Sequence, residues 1–571
     1  MYILGLSAMT HDPAAALIGE QGVIAAIEEG KLTRTRTAEG IPRAAIQFCL
    51  ERAGIDIAQV GQIAIGSRPM RSWERQTLFR ARLAPLAPSS SGYFISKAFG
   101  ELSRELNNFR LIDNMAAGSS HKAQSFEHHQ CHAASAFFGS PFERALIVTL
   151  DEIGDGRSGS VSIGDGTRIR ELESVAFPDS LAWVYSQVTR LLGFRSHGEE
   201  HKTQWLGLAG EPVFLDLFLE ALRTETSGRP RLNTKFFRRS YAGELSFSDE
   251  FYRRLGLPVI AQPIADDAIR ANIAAGLQQA CAVIVCEWLE MTRQKTDSRS
   301  LCLAGGLFLN PLLVAAVESN TRFENVFVQP AAGIEGTALG AAYLAWHREG
   351  GRPRIGFGGA PYWGPEFSND AVKSVLDNCK ASYKWCDSEE AKVGETVRML
   401  HAGKIVAWYQ GAAEFGPRAL GNRSLLASPW SPYVKENLND YVKHRESFRP
   451  FALAMPEEDC AQYFDHTPNA RYLTTMARAK EAGKKLLAGL PPGFLLKGNI
   501  VRLHAVSSGD NPLLWKLLKR SGENSPAPIL VNTSFNLFGE PLVVKPRDAV
   551  RSYFCSGADV LVAGNFLLKK N

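Results

Sequence analysis

Residues 127–156 constrain the fold of this chain most, because they predict a helix followed directly by a buried strand. His128 and His132 are four residues apart, so on a helix their imidazoles lie on one face, one turn apart. After a Gly-Ser-Pro break, the run Arg144–Leu150 is short, rich in β-branched residues and bounded by turn signals, which predicts a strand. Asp151 follows at the carboxyl end of that strand, where open α/β sheets gather their ligand-binding groups.

A metal site is the functional interpretation of this stretch. The two imidazoles and one carboxylate of His128, His132 and Asp151 suit Fe(II) or Zn(II) and leave positions open for an oxygen ligand. The alternative is a histidine pair that arose by chance, and the acidic residue after the next strand argues against it. His129 and Cys131 also carry atoms that can bind a metal, but helical spacing should direct their side chains away from the face that His128 and His132 share.

The length of 571 residues exceeds what one hydrophobic core supports, so at least two domains are expected. Charged residues make up 22% of the chain and hydrophobic residues 45%, which is ordinary for a soluble globular protein. The net charge of +5 is too small and too diffuse to favour nucleic acid as the main ligand.

Cysteine usage and the N-terminus indicate a cytoplasmic protein. The nine cysteines include no Cys-x-x-Cys pair, and several lie in apolar runs, which is typical of reduced intracellular thiols. The first residues lack the basic region and the long apolar region of a signal peptide. No window holds about 18 uninterrupted apolar residues, so no membrane-spanning helix is expected.

Glycine-rich turns at the ends of predicted strands indicate a two-lobed, ATPase-like first domain. Such turns let a phosphate approach the N–H groups at the start of the following helix. A Gly-bounded loop at residues 197–210 would hold a nucleotide or substrate, or only cap the helix after it. The candidate nucleotide-binding residues are Lys202, Gly305, Gly306, Asn310, Gly333 and Gly336.

The chain begins with a predicted strand, Tyr2–Ser7, and a polar turn that carries His11 and Asp12. This order is how the phosphate-binding hairpin of actin-like and hexokinase-like ATPases begins. Standing alone, the two residues would suit a solvated loop better than a site.

Residues Glu349–Gly364 are rich in glycine and proline and form the clearest domain boundary. We therefore expect a first domain at residues 1–350, a linker at 351–370 and a second domain at 371–571.

Basic side chains among tight turns predict an anion pocket in the second domain, because guanidinium groups match the oxygens of phosphate. Solvated surface charge is the alternative, and the flanking glycines, prolines and aromatic residues argue against it. A polar cluster, Asn532–Asn536, follows the predicted strand Ile529–Val531. The basic residues of the expected pocket are Arg418, Arg423, Lys443, His444, Arg445 and Arg449.

Motifs in order over nearly the whole chain resemble the NodU/CmcH family of O-carbamoyltransferases. The matching segments of the first domain are HDPAAA (11–16), HHQCHAASAFF (128–138), LDEIGDG (150–156), LAGGLFLN (303–310) and PAAGIEGTALGAA (330–342). Those of the second domain are EFGPRALGNRS (414–424), VKHRESFRPF (442–451) and VNTSFNLFGEP (531–541).

The resemblance implies an α/β fold with two parts. The N-terminal part would be a two-lobed ASKHA domain, actin/hexokinase-like and similar to tRNA threonylcarbamoyl-transferring proteins, and the C-terminal part a YrdC-like α/β domain. The family's enzymes form carbamoyl adenylate from carbamoyl phosphate and ATP, and Mg(II) is expected with the ATP. The carbamoyl group then passes to a hydroxyl of a small molecule, such as a sugar or an antibiotic precursor.

The resemblance also implies roles for individual residues. His11 or Asp12 would accept the proton of the attacking hydroxyl. A transition metal, Fe(II) before Zn(II) or Mn(II), would be held by His128, His132 and Asp151. The residues implied for carbamoyl phosphate binding and adenylation are Arg418, Lys443, Arg449, Arg502, Asn532 and Ser534.

This chain departs from the family's pattern at three places, all expected in or near the site of the first domain. The family's fourth metal ligand, an Asp, is replaced by Ile334, and the neighbouring Glu335 is the candidate to take its place. The loop EEHKTQWLGLA is two residues longer than usual, and EEGKLTR carries Gly30 in place of an acidic residue.

Two other functions share part of this pattern. A tRNA threonylcarbamoyl-type modification enzyme would combine the same domain types but would need a basic face for RNA. A non-catalytic nucleotide-binding regulator would explain the missing Asp at position 334. For the favoured carbamoyltransferase we expect a small hydroxyl acceptor and neither nucleic acid nor a membrane as partner, and a homodimer is one option for the oligomeric state.

Overall fold

The structure is a computed structural model that describes residues 1–8, 11–68, 103, 106–108, 110–115, 123–222, 228–239, 245–259, 264–348 and 352–570. Most of the helix-prone stretch predicted at residues 68–118 lies outside these ranges. The chain forms two compact units. The first combines residues 1–22, 39–42 and 54–356, and the second combines residues 23–38, 43–53 and 357–571.

Strands and helices alternate along much of the chain, as expected for an α/β protein. The strands are β1 (Tyr2–Ser7), β2 (Ala14–Gly19), β3 (Gly22–Glu28), β4 (Val60–Ile65), β5 (Gln124–Ser125), β6 (Arg144–Gly154), β7 (Arg157–Asp165), β8 (Arg168–Ala176), β9 (Phe237–Arg239), β10 (Leu245–Phe247), β11 (Ser300–Ala304), β12 (Asn325–Val328), β13 (Lys384–Trp385), β14 (Val406–Tyr409), β15 (Arg423–Ala427), β16 (Ala452–Pro456), β17 (Phe464–Asp465), β18 (Ala477–Ala479), β19 (Ile500–Val501), β20 (Leu503–Val506), β21 (Leu530–Ser534), β22 (Val560–Ala563) and β23 (Phe566–Lys569). The α-helices are α1 (Glu29–Thr33), α2 (Arg43–Ala53), α3 (His128–Gly139), α4 (Leu181–Leu191), α5 (Glu200–Leu206), α6 (Leu215–Ala221), α7 (Asp249–Arg254), α8 (Asp267–Thr296), α9 (Pro311–Asn320), α10 (Gly336–Arg348), α11 (Asn369–Asn378), α12 (Glu389–His401), α13 (Val434–Glu436), α14 (Glu457–Tyr463), α15 (Glu481–Ala488), α16 (Pro512–Gly522) and α17 (Pro546–Phe554).

The first unit repeats one strand arrangement in two sheets. In one sheet β1 pairs antiparallel with β2 and parallel with β4. In the other, with the order β12-β11-β6-β7-β8, β6 pairs antiparallel with β7 and parallel with β11. Two sheets built on the same plan give two lobes, which confirms the predicted ASKHA-type fold class.

The helix and strand predicted within residues 127–156 are both present, as α3 and β6. The strand continues to Gly154 instead of ending at Leu150, so the prediction that Asp151 directly follows the strand was wrong by a few residues. The pairing of β6 with β7 is irregular between Leu150 and Gly154, and its parallel pairing with β11 ends at Thr149. Asp151 therefore still lies where the parallel part of the sheet ends.

The second unit contains a mixed eight-stranded sheet with the order β13-β23-β22-β14-β15-β21-β16-β20. Successive residues of its strands join different apolar cores: Val406 and Trp408 lie in one core, and Ala407 and Tyr409 lie in the other. A sheet buried on both faces explains why these strands are apolar almost throughout. The predicted α/β class is confirmed here as well.

The helix α8 is 30 residues long and, by length and composition only, apolar enough to cross a membrane. In its most apolar window, 61% of the residues are buried inside the protein. The helix packs against α6, α9 and α5. It therefore resembles the central helix of a folded core.

Gly340 allows the backbones of α10 and α3 to touch, because a Cβ atom at this position would overlap the carbonyl oxygen of Cys131. We predict that Gly340→Ala destabilises the protein by about 2 kcal/mol, the usual cost of overpacking a close contact. Gly394→Ala is the matched control, since it lies in helix α12 with nothing within 4 Å of the added carbon. There the substitution should be neutral or stabilise by up to about 1 kcal/mol. Denaturant unfolding followed by circular dichroism measures both, and equal midpoints would contradict the prediction.

Candidate functional site

Three side chains of the first unit converge on one small volume. The Nε2 atoms of His128 and His132 lie 3.0 Å apart. The Oδ2 atom of Asp151 lies 3.3 Å from the first of these nitrogens and 3.0 Å from the second. All three residues are buried, and their two imidazoles and one carboxylate are close enough together to hold a metal ion. The spacing argument made from the sequence is therefore confirmed in geometry.

The separations fit a metal ion. With bonds of about 2.1 Å, neighbouring ligand atoms are about 3.0 Å apart around an octahedral ion and about 3.4 Å apart around a tetrahedral one. The distances between the three donors span this range. Nitrogen and carboxylate donors together favour a transition metal over Mg(II), which prefers oxygen ligands and water.

Electrostatics at this group favour a charged carboxylate. Burial opposes ionisation of Asp151, but hydrogen bonds from His128 and His132 hold its pKa well below the usual range. Burial lowers the pKa of His132. Burial also lowers the pKa of His128, but the bond to Asp151 and the charges of Asp151, Asp155 and Glu127 together outweigh it and raise the pKa. An ionised acid beside two imidazoles is the protonation state that a cation needs.

Small residues make room for this group. A Cβ atom on Gly154 would overlap the ring of His128, and one on Gly306 would lie 3.0 Å from Oδ1 of Asp151. The glycine turn after β11, predicted as a phosphate site, thus lies against the metal group. His129 is directed elsewhere, since its Nδ1 lies 2.9 Å from the hydroxyl of Thr149.

Asp155 was not singled out from the sequence, yet it supports the start of α3. Its carboxylate accepts hydrogen bonds from the backbone N–H of His128 at 2.8 Å and from the hydroxyl of Ser67 at 2.9 Å. A carboxylate at a helix N-terminus satisfies an N–H group that has no partner within the helix. The only signal in the sequence was its place in the LDEIGDG motif.

His11 and Asp12 lie in a solvent-accessible position of the first unit. Nδ1 of His11 is 2.9 Å from Oδ2 of Asp12, and the His11 ring lies 5.7 Å from that of His197. Partial loss of hydration lowers the pKa of the half-exposed His11 ring, but the bond to Asp12 and the charges of Asp12, Asp151 and Glu152 together raise it. Their predicted role as proton acceptors stays a prediction.

Two of the predicted nucleotide-binding residues make structural contacts. Asn310 caps α9, since its Oδ1 accepts from Leu312 N at 3.1 Å, while its Nδ2 donates to Gln278. Lys202 is buried and lies 3.0 Å from Oε1 of Glu199. Nucleotide binding by these two residues stays a prediction.

The remaining predictions for the first unit concern the turn before α10. A Cβ atom on Gly333 would overlap the carboxylate of Glu335, and one on Gly336 would overlap the carbonyl oxygen of Ala331. Glu335 is buried, but it is not one of the three residues of the metal group. Its role as a fourth ligand stays a prediction, as does nucleotide binding at this turn.

The second unit contains what we call the basic cluster: Arg418, Lys443, Arg445, Arg449 and Arg502. Burial and the repulsion of neighbouring cations lower the pKa values of Arg418, Lys443, Arg445 and Arg502. The pKa falls to about 10 for Arg418 and to about 9 for Arg445. An anion that binds here would relieve this repulsion, which is the electrostatic property predicted from the sequence.

Lys443 ends a short π-helix, Asn437–Lys443, and reaches the carboxyl end of β21. Its Nζ donates to the backbone carbonyl of Ser534 at 2.8 Å and lies 3.2 Å from the Ser534 hydroxyl. The side-chain oxygen of Asn536 accepts from the same Nζ. The two motifs VKHRE and VNTSFN therefore meet, as their predicted common role requires.

A buried carboxylate organises the loop that carries Arg418. Oε1 of Glu414 accepts hydrogen bonds from the N–H groups of Leu420 at 2.9 Å, Asn422 at 3.0 Å and Arg423 at 3.2 Å. Glu414 is completely inaccessible to solvent. Three bonds to one oxygen hold residues 414–423 in a closed turn and fix where Arg418 emerges.

Arg423 is a correction to the predicted pocket. Its guanidinium donates to the carbonyl oxygens of Gly411 and Pro365 and lies over the ring of Tyr409, 3.9 Å from its centre. The side chain is fully buried and cannot meet a ligand. Arginine satisfies backbone carbonyls as readily as phosphate, so a position between glycines did not distinguish the two uses.

The segment EEGKLTR was expected near the site of the first domain, and this was wrong, because residues 23–38 belong to the second unit. Nζ of Lys31 donates to the carbonyl oxygens of Glu414 at 2.7 Å and Gly416 at 2.6 Å. Glu28 accepts from the N–H of Gly416 at 2.9 Å. The N-terminal segment thus supports the loop that carries Arg418, a contact across more than 380 positions.

Arg34 supports the second loop of this pocket. It lies 2.8 Å from Oε2 of Glu540 and also donates to the carbonyl oxygen of Leu542. The backbone carbonyl of Glu540 in turn accepts from Nδ2 of Asn536 at 2.7 Å. The departure at Gly30 therefore lies among residues that shape the pocket of the second unit.

Comparison with known proteins bears on both units. The family model of the carbamoyltransferase N-terminus matches residues 2–343, and that of the carbamoyltransferase C-terminus matches residues 397–570. An uncharacterized protein of Synechocystis sp. is 32% identical over 100% of this chain and 97% of its own length. Nodulation protein NolNO of Sinorhizobium fredii is 33% identical over 98% of this chain and 79% of its own. The 3'-hydroxymethylcephem-O-carbamoyltransferase of Amycolatopsis lactamdurans is 31% identical over 48% of this chain and 50% of its own.

We predict that the protein purified without chelator carries about one transition metal ion, and that His132→Asn abolishes it. Asparagine cannot place a donor atom where Nε2 of His132 lies. His129→Asn is the matched control on the same helix, because the asparagine oxygen can replace the Nδ1 contact with Thr149. Elemental analysis measures both variants. Loss of metal from both, or from neither, would contradict the assignment.

Proposed function

Because the chain belongs to the carbamoyltransferase family, we propose that it is an ATP-dependent O-carbamoyltransferase of a small-molecule acceptor. It forms carbamoyl adenylate from carbamoyl phosphate and ATP and then transfers the carbamoyl group to a hydroxyl. The observation that carries this proposal is the basic cluster, where the cations of two separate motifs and Arg502 repel one another. Such an arrangement is costly unless it serves an anionic ligand.

The first half-reaction is assigned to the second unit. Water releases phosphate from carbamoyl phosphate, and the carbamate formed attacks the α-phosphorus of ATP and displaces pyrophosphate. Arg418, Arg449 and Arg502 hold the phosphate and offset the negative charge that develops on it. Lys443 and Ser534 complete the pocket at the carboxyl end of β21, where Nζ of the lysine lies 3.2 Å from the serine hydroxyl.

The second half-reaction is assigned to the first unit. The acceptor hydroxyl attacks the carbonyl carbon of carbamoyl adenylate, and AMP leaves. His11 accepts the hydroxyl proton, and Asp12, 2.9 Å away, orients its ring and stabilises the charged form. Because both side chains are accessible to solvent, an acceptor molecule can reach them.

His128, His132 and Asp151 hold a metal ion in this proposal, with Fe(II) as first choice before Zn(II) or Mn(II). When bound, the ion supplies a positive charge that polarises a carbonyl or holds a phosphate oxygen. Glu335 is the candidate for an additional protein ligand, in place of the acidic residue that Ile334 replaces. ATP enters with Mg(II).

The acceptor is proposed to be a small molecule with a free hydroxyl. One relative, by its name, is an O-carbamoyltransferase of a 3'-hydroxymethylcephem, a small molecule with a hydroxyl group. A net charge of +5 over 571 residues offers no support for RNA as the acceptor.

We predict that Arg418→Ala and Lys443→Ala lower carbamoyl-phosphate-dependent pyrophosphate release at least about a hundredfold, since a charge-assisted bond to the reacting phosphate is lost. Arg520→Ala is the control: this arginine is mostly exposed and pairs with Glu523 at the end of α16. Normal rates in the two pocket variants would remove the assignment. Pyrophosphate release that requires threonine and bicarbonate would instead favour a tRNA-modifying enzyme.

We predict that the half-reactions separate. Asp151→Asn keeps the size of the side chain but removes the charge, so it should spare pyrophosphate release and block carbamoyl transfer to a hydroxyl acceptor. The rates of pyrophosphate release and of carbamoyl transfer are measured on the same preparation. Arg418→Ala is the comparison, because it should lose pyrophosphate release itself. If Asp151→Asn loses pyrophosphate release as completely as Arg418→Ala, the division of work between the units is wrong.

A further inference from the structure

A buried side-chain hydrogen bond spans the sheet of the second unit beside the basic cluster. Nδ2 of Asn532, on β21, lies 3.0 Å from Nδ1 of His504, on β20. The two strands are not neighbours, because β16 lies between them. On β16, Ala452 pairs with Asn532 and Ala454 pairs with His504, so all four side chains share one face. The two alanines leave the space that the bond crosses.

The orientation of the Asn532 amide follows from a second contact. Its Nδ2 also donates to the backbone carbonyl oxygen of Ala419 at 3.2 Å. A carbonyl oxygen only accepts, so the amide atom facing it must be nitrogen. Nδ1 of His504 faces the same nitrogen and must also accept, which requires the neutral ring with its proton on Nε2. Burial lowers the pKa of His504 to about 3, consistent with a ring that stays neutral.

Both contacts are made by the amide nitrogen, so the amide oxygen of Asn532 points away from Ala419 and His504. This Oδ1 is buried and has no hydrogen-bond partner among the residues that the structure describes. The residue itself is 2% exposed. A buried acceptor without a partner destabilises the folded state, so its retention calls for a ligand that donates to it.

The surroundings of Asn532 are the proposed pocket. Ser534 lies two residues further on the same strand, hence on the same face, and contacts Lys443. Arg502 precedes His504 by two residues, and Ala419 directly follows Arg418. The two residues that contact the Asn532 amide, Ala419 and His504, are thus one and two positions from a member of the basic cluster.

We propose that His504 is a positioning residue that fixes the orientation of the Asn532 amide, so that its oxygen accepts an N–H of the carbamoyl group bound beside the basic cluster. The inference rests on the proposed function and adds a basis for substrate choice. Carbamoyl phosphate carries an NH2 group that donates to Oδ1. Acetyl phosphate has a methyl group there and would leave the oxygen without a partner, so the site should reject it.

The test measures the affinity of the full-length protein for three probes: carbamoyl phosphate, acetyl phosphate and inorganic phosphate. The wild type should bind carbamoyl phosphate at least about tenfold more tightly than acetyl phosphate. His504→Leu removes the acceptor, lets the Asn532 amide turn, and should reduce that preference about tenfold. Inorganic phosphate, held by the basic cluster, should bind equally in both, whereas a collapsed pocket would weaken all three ligands together.

Rescue and control variants separate orientation from packing. His504→Asn restores an acceptor near the position of Nδ1 and should recover most of the preference. Asn532→Ala should lose the preference as fully as His504→Leu, and the double variant should lose no more. His401→Leu is the control, since this histidine of the same unit contacts the carbonyl of Ser521 instead.

The outcomes distinguish the two proposals. Absence of carbamoyl-phosphate-dependent pyrophosphate release in the wild type refutes the proposed function, and the inference falls with it. An active wild type with unchanged preference in His504→Leu refutes only the role of His504. Equal loss in His504→Leu and His504→Asn refutes the acceptor argument. Should the leucine variant fail to fold, Asn532→Ala and His504→Asn decide the question by themselves.

Discussion

Burial of like charges beside one another is the constraint on which the second unit depends. Burial and mutual repulsion lower the pKa values of Arg418, Lys443, Arg445 and Arg502, so the cluster favours a bound anion. Buried hydrogen bonds hold the loop that carries Arg418. Glu414 accepts three backbone N–H groups of this loop, and Lys31 donates to two of its carbonyl oxygens. The loop geometry that places Arg418 is therefore rigid before any ligand arrives.

The first unit also buries a charge, but here the charge is negative. A buried carboxylate, Asp151, stays ionised because two imidazoles face it, and glycines at positions 154 and 306 let the backbone approach closely. Neither unit would gain stability from its site alone, since polar groups in both lack the compensation that solvent gives. Functional sites of this kind are where a protein keeps residues that do not favour its stability.

Local patterns were sufficient where the chemistry is local. The spacing of His128 and His132 on a helix and the acidic residue on the next strand predicted the metal group, because helical periodicity alone brings the two rings together. The meeting of Lys443 with Ser534 was implied by resemblance. Arg423, in contrast, was placed in the pocket because residue type and flanking glycines are the same for an arginine that binds phosphate and one that binds carbonyl oxygens.

The amino-acid sequence by itself determined the fold class, the family and which three residues come together as possible metal ligands, because these depend on short-range periodicity and on motifs in fixed order. Only the tertiary structure decided which distant segments meet: that residues 23–38 support the loop around Arg418, and that His504 fixes the amide of Asn532 across an intervening strand. Both contacts depend on strand order and side-chain direction in a folded sheet. No local property of a short charged helix or of a single buried histidine encodes them.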